Sequence, residues 1–200
     1  MRHRSAPSVT AVTLNLYHDR GDWPQRRALI VEELRKTKPD LIALQEMLQA
    51  PGLRNQAEDL AEALGHRYVF VSQDAQQLPR RYGNANLSRH PIVRHDEVPL
   101  EPRDDYRSAA RVRVKLRGRM LDFVVTHLHP GETGGEIRAQ QVRHLLEFTG
   151  AVEGQSAGTI VAGDFNATAG SEEPGPMHRA FADAYARLHA DADFEPPTPR

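Results

Sequence analysis

Short apolar runs rich in β-branched residues recur along the chain, and polar side chains follow directly after each of them. This pattern predicts strands over residues 8–15, 40–46 and 159–164. The last is expected to be a buried strand ending in Asp164, with Asn166 two positions further on. Residues two apart on an extended chain point to the same side, so both polar groups are expected on one face. A simpler explanation, an Asx-type turn that caps the strand, stays open at this point.

The remaining pattern predicts alternating helices and strands. Helices are expected over residues 23–38, 55–64, 136–149 and 177–188, and further strands over 68–71, 82–89, 92–100, 110–116 and 120–127. The last two strands are predicted to form a hairpin with one solvent-exposed face, because Val and Leu alternate with Arg and Lys. Residues 194–200 are predicted to be an extended prolyl segment. Parallel-type runs and an antiparallel hairpin together predict an α/β protein with mixed sheets flanked by helices.

Composition describes an ordinary globular chain. The 200 residues are enough for one domain, and 39% hydrophobic with 26% charged residues exclude a disordered or membrane-embedded chain. The net charge of -1 provides no overall basic field for nucleic acid. The absence of cysteine excludes disulfides, thiolate metal sites and a cysteine nucleophile. No apolar run reaches transmembrane length, so we expect a cytoplasmic protein, or a secreted one where a signal peptide has been removed.

Polar side chains at the ends of separate predicted strands form the candidate site. Each one alone has a plain structural explanation as a turn former, a solvated charge or a hydrogen-bonded histidine. Together they are expected to converge, since the strand ends of one sheet system can meet at one cleft. An anionic oxygen beside a neutral amide suits a hard cation, or a phosphate with its water. The side chains are those of Asn15, Glu46, His127, Asp164 and Asn166.

The order of these motifs resembles the endonuclease/exonuclease/phosphatase family, whose fold is that of deoxyribonuclease I. The resemblance covers nearly the whole chain. It implies a four-layer α/β/β/α sandwich of two mixed β-sheets and Mg²⁺-dependent hydrolysis of phosphoesters. The elements that carry it are Asn15, Leu44-Gln45-Glu46, Gly83-Asn84-Ala85, Ser88-Arg89-His90-Pro91-Ile92, Thr126-His127-Leu128 and Gly163-Asp164-Phe165-Asn166.

The resemblance also implies a role for each site residue. Glu46, with Asn15, is expected to hold Mg²⁺, for which Mn²⁺ is a substitute; Mg²⁺ typically takes only one or two protein carboxylates. His127 is expected to donate to the phosphate as charge builds on it. Asp164 is expected to orient or deprotonate the attacking water. Asn166 is expected to hold that water or a phosphate oxygen.

Substrate contacts are expected from Asn84, Arg107 and Arg111, although in an arginine-rich chain a solvated surface explains most arginines equally well. The substrate is a phosphoester in a nucleic acid, a phospholipid head group or a small phosphorylated metabolite, and the motifs do not select among these. The near-neutral charge and the lack of an evident aromatic platform disfavour a strongly DNA-binding nuclease.

The sequence departs from the family at its C-terminal end. The family uses an Asp-His pair there, and this chain has no such dipeptide. We therefore expect one domain over 1–200 that lacks the last strands of the family fold. Three explanations are possible: the sequence is truncated, the missing strands come from another polypeptide, or the protein is a natural inactive relative. Truncation is favoured. Loss of a general base costs about a hundred- to ten-thousandfold in rate, so weak or absent activity with Mg²⁺ binding retained is expected. An exposed sheet edge would also favour self-association.

Two alternatives to the hydrolase hypothesis remain. The first is a binding or interaction domain of the same fold without catalytic activity. The second is a zinc hydrolase that uses His127 and His129, although Pro130 ends the strand there and no third ligand is evident.

Overall fold

Two four-stranded mixed sheets form the centre of the computed structural model, which describes residues 8–151, 154, 156–168 and 170–189. The first sheet has the order β1-β2-β4-β3, in which β1 and β2 are parallel and the other pairs antiparallel. Its strands are β1 (Ala11–Asn15), β2 (Leu41–Gln49), β3 (Arg67–Val71) and β4 (Arg81–Ser88).

The second sheet has the order β5-β6-β7-β8, and only β7 and β8 are parallel. Its strands are β5 (Ile92–Pro99), β6 (Ser108–Leu116), β7 (Arg119–His127) and β8 (Thr159–Asp164). The two sheets pack face to face, because Leu41 and Ala43 of the first share one buried apolar cluster with Val112, Phe123 and Val125 of the second.

Helices cover the outer faces of both sheets. Trp23, Val31 and Leu60 pack on the first sheet, and Val142, Leu145 and Met177 pack on the second. The layers are therefore helix, sheet, sheet and helix, which confirms the predicted four-layer sandwich. The helices are α1 (Trp23–Thr37), α2 (Gln56–Leu64), α3 (Gly135–Gly150), α4 (Gly175–Ala180) and α5 (Ala184–Leu188), with a short 3-10 helix at Arg103–Asp105.

Local sequence signals explain several helix ends. Asp22 caps α1 by accepting a hydrogen bond from the Gln25 amide, and Gly65 ends α2 in the left-handed conformation. The predicted helix over 177–188 is wrong as a single element. Phe181 has an extended backbone and packs into the core, so the chain breaks there, and Asp183 caps a separate α5.

Two expectations about exposure are also wrong. The outer face of the β6–β7 hairpin is covered by α3 around Ala109 and Val124, and Arg113 binds the fully buried Asp122 at 2.8 Å, whereas Lys115 near the turn is exposed as expected. Strand β8 is only partly buried along its whole length, because it is the edge of its sheet within the described residues. The prolyl segment 194–200 lies outside those residues, and within them no helix has the length and apolarity needed to cross a membrane.

Candidate active site

The carboxylate of Glu46 is placed by an irregularity in strand β2. The pairing of β2 with β4 shifts register between Leu44 and Met47, which is a β-bulge, and Glu46 within it has a φ of 56°. A positive φ is costly for a residue other than glycine, and it persists where the surrounding structure holds it. The Glu46 carbonyl accepts the His18 amide at 3.0 Å and so helps to hold the bulge. Side chains alternate between the two faces of a regular strand, and the bulge breaks this alternation at Glu46.

Asn15 joins the two sheets at this point. Its Nδ2 donates to Glu46 Oε1 at 3.2 Å and to Asp164 Oδ2 at 3.1 Å. Its Oδ1 accepts the Tyr17 amide at 2.9 Å. In this arrangement Asn15 braces both carboxylates, and its oxygen, which has two lone pairs, accepts one backbone hydrogen bond.

Asp164 and His127 are neighbours because β7 and β8 pair in register. The two residues are partners in the parallel ladder, one step after Thr126 and Gly163. A Cβ on Gly163 would lie 2.1 Å from the Thr126 carbonyl oxygen, so only glycine permits this close approach. The glycine of the Gly-Asp-Phe-Asn motif therefore brings the Asp164 carboxylate beside the end of β7.

Asn166 is held by the backbone that follows β7. Its amide N–H donates to Asp164 Oδ1 at 3.0 Å, and its Nδ2 donates to the Leu128 carbonyl at 2.9 Å. Its φ of 49° makes it the second strained residue of the site. The Asx-type turn considered from the sequence is thus present, and it coexists with the carboxylate cluster.

His127 is 4% exposed and its Nε2 lies 3.8 Å from Asp164 Oδ2. Its Nδ1 is buried without a hydrogen-bond partner. Burial lowers the pKa of His127, and the nearby Arg107 guanidinium lowers it further. The carboxylates of Asp164 and Glu46 raise this pKa but do not outweigh burial. The imidazole is therefore neutral near pH 7.

We expect the pKa of His127, followed by NMR of the histidine rings, to lie below the ordinary value of about 6.5. In the pH window between the folded and the ordinary value, the unfolded chain binds more protons than the folded one. The free energy of unfolding then falls as the pH falls through that window. The variant His127→Gln should lose this part of the acid sensitivity, whereas His95→Gln, at an exposed site on β5, should keep it. A His127 that titrates above 6.5 would contradict this assignment.

Arg107 and Tyr82 complete the cleft around these groups. The Arg107 side chain is 16% exposed, and its Nε is buried without a hydrogen bond, 3.8 Å from Asp105 Oδ2. Burial raises the pKa of Tyr82 to about 12, with a further contribution from Glu46, so its hydroxyl stays protonated. The sequence pattern predicted Tyr82 only as the first residue of a strand, and the register of β4 with β2 is what brings it to the cleft.

One of the expected substrate contacts lies away from the cleft. Arg111 packs between β6 and α3, where its guanidinium binds Asp96 at 3.1 Å and the carbonyl oxygens of Phe148 and Ala151. Asn84 is 5% exposed and donates to the Ser108 carbonyl of the opposite sheet at 3.4 Å. Asn84 lies on β4 opposite the bulge that contains Glu46, so it stays near the other expected residues. Arg111 alone of the eight is a contact between β6 and α3.

The donor set fits a hard divalent cation. Glu46 and Asp164 converge on one amide. A cavity of about 420 Å³ is lined by Asn15 and Asp164. The same cavity is lined by Gln45, which is 1% exposed and has a buried Nε2 without a partner. In the described part of the chain, no three His, Cys, Asp or Glu side chains are arranged around one point. A zinc site needs three such ligands, and His129 Nδ1 is engaged by Asp105 at 2.6 Å, whereas Mg²⁺ needs one carboxylate and water.

A sandwich of two mixed sheets with carboxylate, amide and imidazole groups gathered at one end defines a class of hydrolases that act on phosphoesters. The model of the endonuclease/exonuclease/phosphatase family matches residues 12–199 of the sequence. The chain belongs to this family, as the strand-end motifs predicted.

The alignments with several relatives cover most of this chain. Nocturnin from Xenopus laevis is 27% identical over 197 residues, which cover 88% of this chain and 49% of that protein. Human nocturnin is 28% identical, with 44% of its length covered, so the chain spans about half the length of these relatives. The human nocturnin catalytic domain with bound sulfate superposes with a TM-score of 0.69 at 26% identity, over 88% of this chain and 70% of that one. Sphingomyelinase C from Streptomyces griseocarneus shares the fold, with a TM-score of 0.64 and 22% identity over 96% of this chain and 72% of that one.

Proposed function

We propose that this protein is a Mg²⁺-dependent hydrolase of phosphodiesters, with Mn²⁺ as a substitute ion. The observation that carries the proposal is the Asn15 amide, which holds Glu46 of one sheet and Asp164 of the other at 3.2 and 3.1 Å. His127 and Arg107 stand on the same cleft. A cation site, a water-handling carboxylate and two donors for a phosphate are thus available together.

Glu46 is the metal ligand in this proposal, and Asn15 orients it. When bound, the ion supplies Lewis-acid stabilisation of charge on a phosphoryl oxygen. Asp164, fixed by Asn15 and by the Asn166 amide, orients the attacking water and accepts its proton. Neutral His127 donates from Nε2 to a phosphate oxygen, where the developing negative charge strengthens the hydrogen bond.

Arg107 and Arg111 are expected to behave differently when each is replaced by methionine. Arg107→Met removes a cation that faces His127 and should lower kcat/KM about a hundredfold, as loss of one transition-state donor typically does. Arg111→Met breaks a buried contact with Asp96 and should lower the free energy of unfolding by about 1–3 kcal/mol. Phosphodiester turnover and urea unfolding of both variants measure the two effects. Equal losses of turnover per folded molecule would contradict the placement of Arg111.

The substrate class can be assigned by a panel assay with the enzyme in excess, so that slow turnover is still measurable. The panel contains a single-stranded oligonucleotide, sphingomyelin and inositol phosphates, each with Mg²⁺ and with a chelator. We expect hydrolysis of at least one phosphodiester that stops on chelation. Hydrolysis that continues unchanged in the chelator would overturn the metal dependence. No hydrolysis of any member would favour the alternative, a binding domain of the same fold without catalytic activity.

A further inference from the structure

Three aromatic side chains, Tyr17, His18 and Tyr82, form a continuous group beside the candidate active site, and we call this group the aromatic rim. The Tyr17 and His18 ring centroids are 5.6 Å apart with the planes at 35°. The His18 and Tyr82 centroids are 6.3 Å apart in an edge arrangement at 72°. The Tyr17 side chain is 53% exposed and Tyr82 is 37% exposed, so the rim presents ring surface to solvent.

The backbone amides of two rim residues are hydrogen-bonded to Glu46, the proposed metal ligand, and to Asn15, which orients it. The His18 amide donates to the Glu46 carbonyl at 3.0 Å, and the Tyr17 amide donates to Asn15 Oδ1 at 2.9 Å. At the far end of the rim, Tyr82 is close enough to Glu46 and Asp164 for both carboxylates to raise its pKa. A ligand whose phosphate lies at Glu46 can therefore reach the rim with an adjoining group.

The backbone under the rim is strained and firmly held. Tyr17 and His18 are consecutive non-glycine residues with φ of 55° and 38°. The His18 carbonyl accepts hydrogen bonds from Arg26 Nη2 at 2.9 Å and Gln56 Nε2 at 3.0 Å, from two different helices. The backbone that carries the Tyr17 and His18 rings is therefore held in place by both α1 and α2.

We propose that the aromatic rim is a subsite that stacks the base of a nucleotide or of an unpaired residue in single-stranded nucleic acid. Tyrosine and histidine faces stack bases of any sequence, which is how single strands are commonly held. This inference rests on the proposed phosphodiesterase function and names its substrate class.

Cations beside the rim select a base over a choline head group. The Arg20 guanidinium lies 5.5 Å from the Tyr17 ring centroid, and Arg107 lies close enough to lower the pKa of Tyr82. Aromatic rings also bind quaternary ammonium groups, and the carboxylates of Asp19, Glu46 and Asp164 near His18 and Tyr82 attract such a cation. The Arg20 guanidinium, however, already holds the cation position against the Tyr17 ring and repels a second positive charge there. A base with a phosphate carries no positive charge and meets no such repulsion. The sequence did not indicate this platform, because Tyr82 is 64 positions from His18 and only the β2–β4 pairing brings them together.

Binding of AMP and of ribose 5-phosphate to the Mg²⁺-loaded protein tests the subsite, because the two ligands share the phosphate and sugar and differ in the base. Calorimetry should show AMP bound about tenfold more tightly, the gain that stacking on one aromatic platform provides. Tyr17→Leu keeps an apolar side chain without the ring and should remove most of this difference, whereas Tyr17→Phe should restore it. Tyr185→Leu is the matched control, since Tyr185 is also 53% exposed but stacks on His189, the residue that follows α5.

The outcomes distinguish failure of the aromatic subsite from failure of the proposed phosphodiesterase function. Ribose 5-phosphate binding that requires Mg²⁺, with no gain for AMP, would overturn the subsite and leave the proposed function standing. Absence of Mg²⁺-dependent binding of either ligand would overturn both. Tighter binding of phosphocholine than of AMP would also overturn the base assignment. The circular dichroism spectrum of each variant confirms folding, and the Phe variant keeps the test decisive if the Leu variant unfolds.

Discussion

Replacing Glu46 by glutamine is expected to lower the Mg²⁺-dependent rate of phosphodiester hydrolysis about a thousandfold relative to the unmodified chain. A bound ion contributes several kcal/mol to stabilising charge in the transition state, and about 1.4 kcal/mol corresponds to tenfold in rate. Glutamine retains the side-chain length and an oxygen that can accept the Asn15 Nδ2 contact, so the bulge in β2 should persist. The loss is then attributable to charge rather than to shape.

Initial rates at saturating Mg²⁺, with enzyme in excess over substrate, measure this effect. Glu62→Gln is the control, because Glu62 is an exposed glutamate on α2 that pairs with Arg54 and lies outside the site. It should retain the rate of the unmodified chain. A Glu46→Gln variant that keeps more than about a tenth of that rate would show that the ion is held elsewhere or is not needed.

Replacing Asp164 by asparagine is expected to lower turnover by about a hundred- to ten-thousandfold while leaving Mg²⁺ affinity nearly unchanged. Asparagine keeps an oxygen acceptor for Asn15 or for the Asn166 amide, but it cannot accept a proton from water.

Asp59→Asn provides the comparison for that experiment. Asp59 is a partly buried carboxylate that pairs with Arg27 at 2.8 Å, so its replacement tests for a general effect of removing a paired aspartate. We expect its turnover per folded molecule to match the unmodified chain. If Asp164→Asn instead weakened Mg²⁺ binding as much as Glu46→Gln does, Asp164 would be a metal ligand rather than the water-handling group.

The site residues could be predicted from the sequence because they follow apolar strands in short motifs. Asp164 and His127 are partners in the ladder, and Glu46 and Asn15 come from the adjacent parallel strands of the other sheet. The strand ends therefore meet where the pattern of apolar runs implied. Local patterning was sufficient here, since both sheets end at the same side of the sandwich.

Features that depend on pairing across the sandwich could not be predicted. The positive φ of Glu46 arises from a register shift between β2 and β4, and the residue types of the motif do not indicate such a shift. Arg107 and Arg111 are alike in sequence, but one faces the cleft and the other packs on Phe148 with its guanidinium 4.9 Å from the ring. The break at Phe181 has the same origin, because the contact of this partly buried ring with the core outweighs local helix propensity.

The proposed function requires one hard-cation site at Glu46. Direct binding of Mn²⁺ tests for this site without depending on the rate of catalysis. Electron paramagnetic resonance of Mn²⁺ titrated into the chelator-treated protein counts bound ions, and Mg²⁺ should displace them. The account predicts saturable binding by the unmodified chain that is lost in Glu46→Gln and retained in Glu62→Gln. Equal Mn²⁺ binding by the unmodified chain and Glu46→Gln, or none by either, would contradict it.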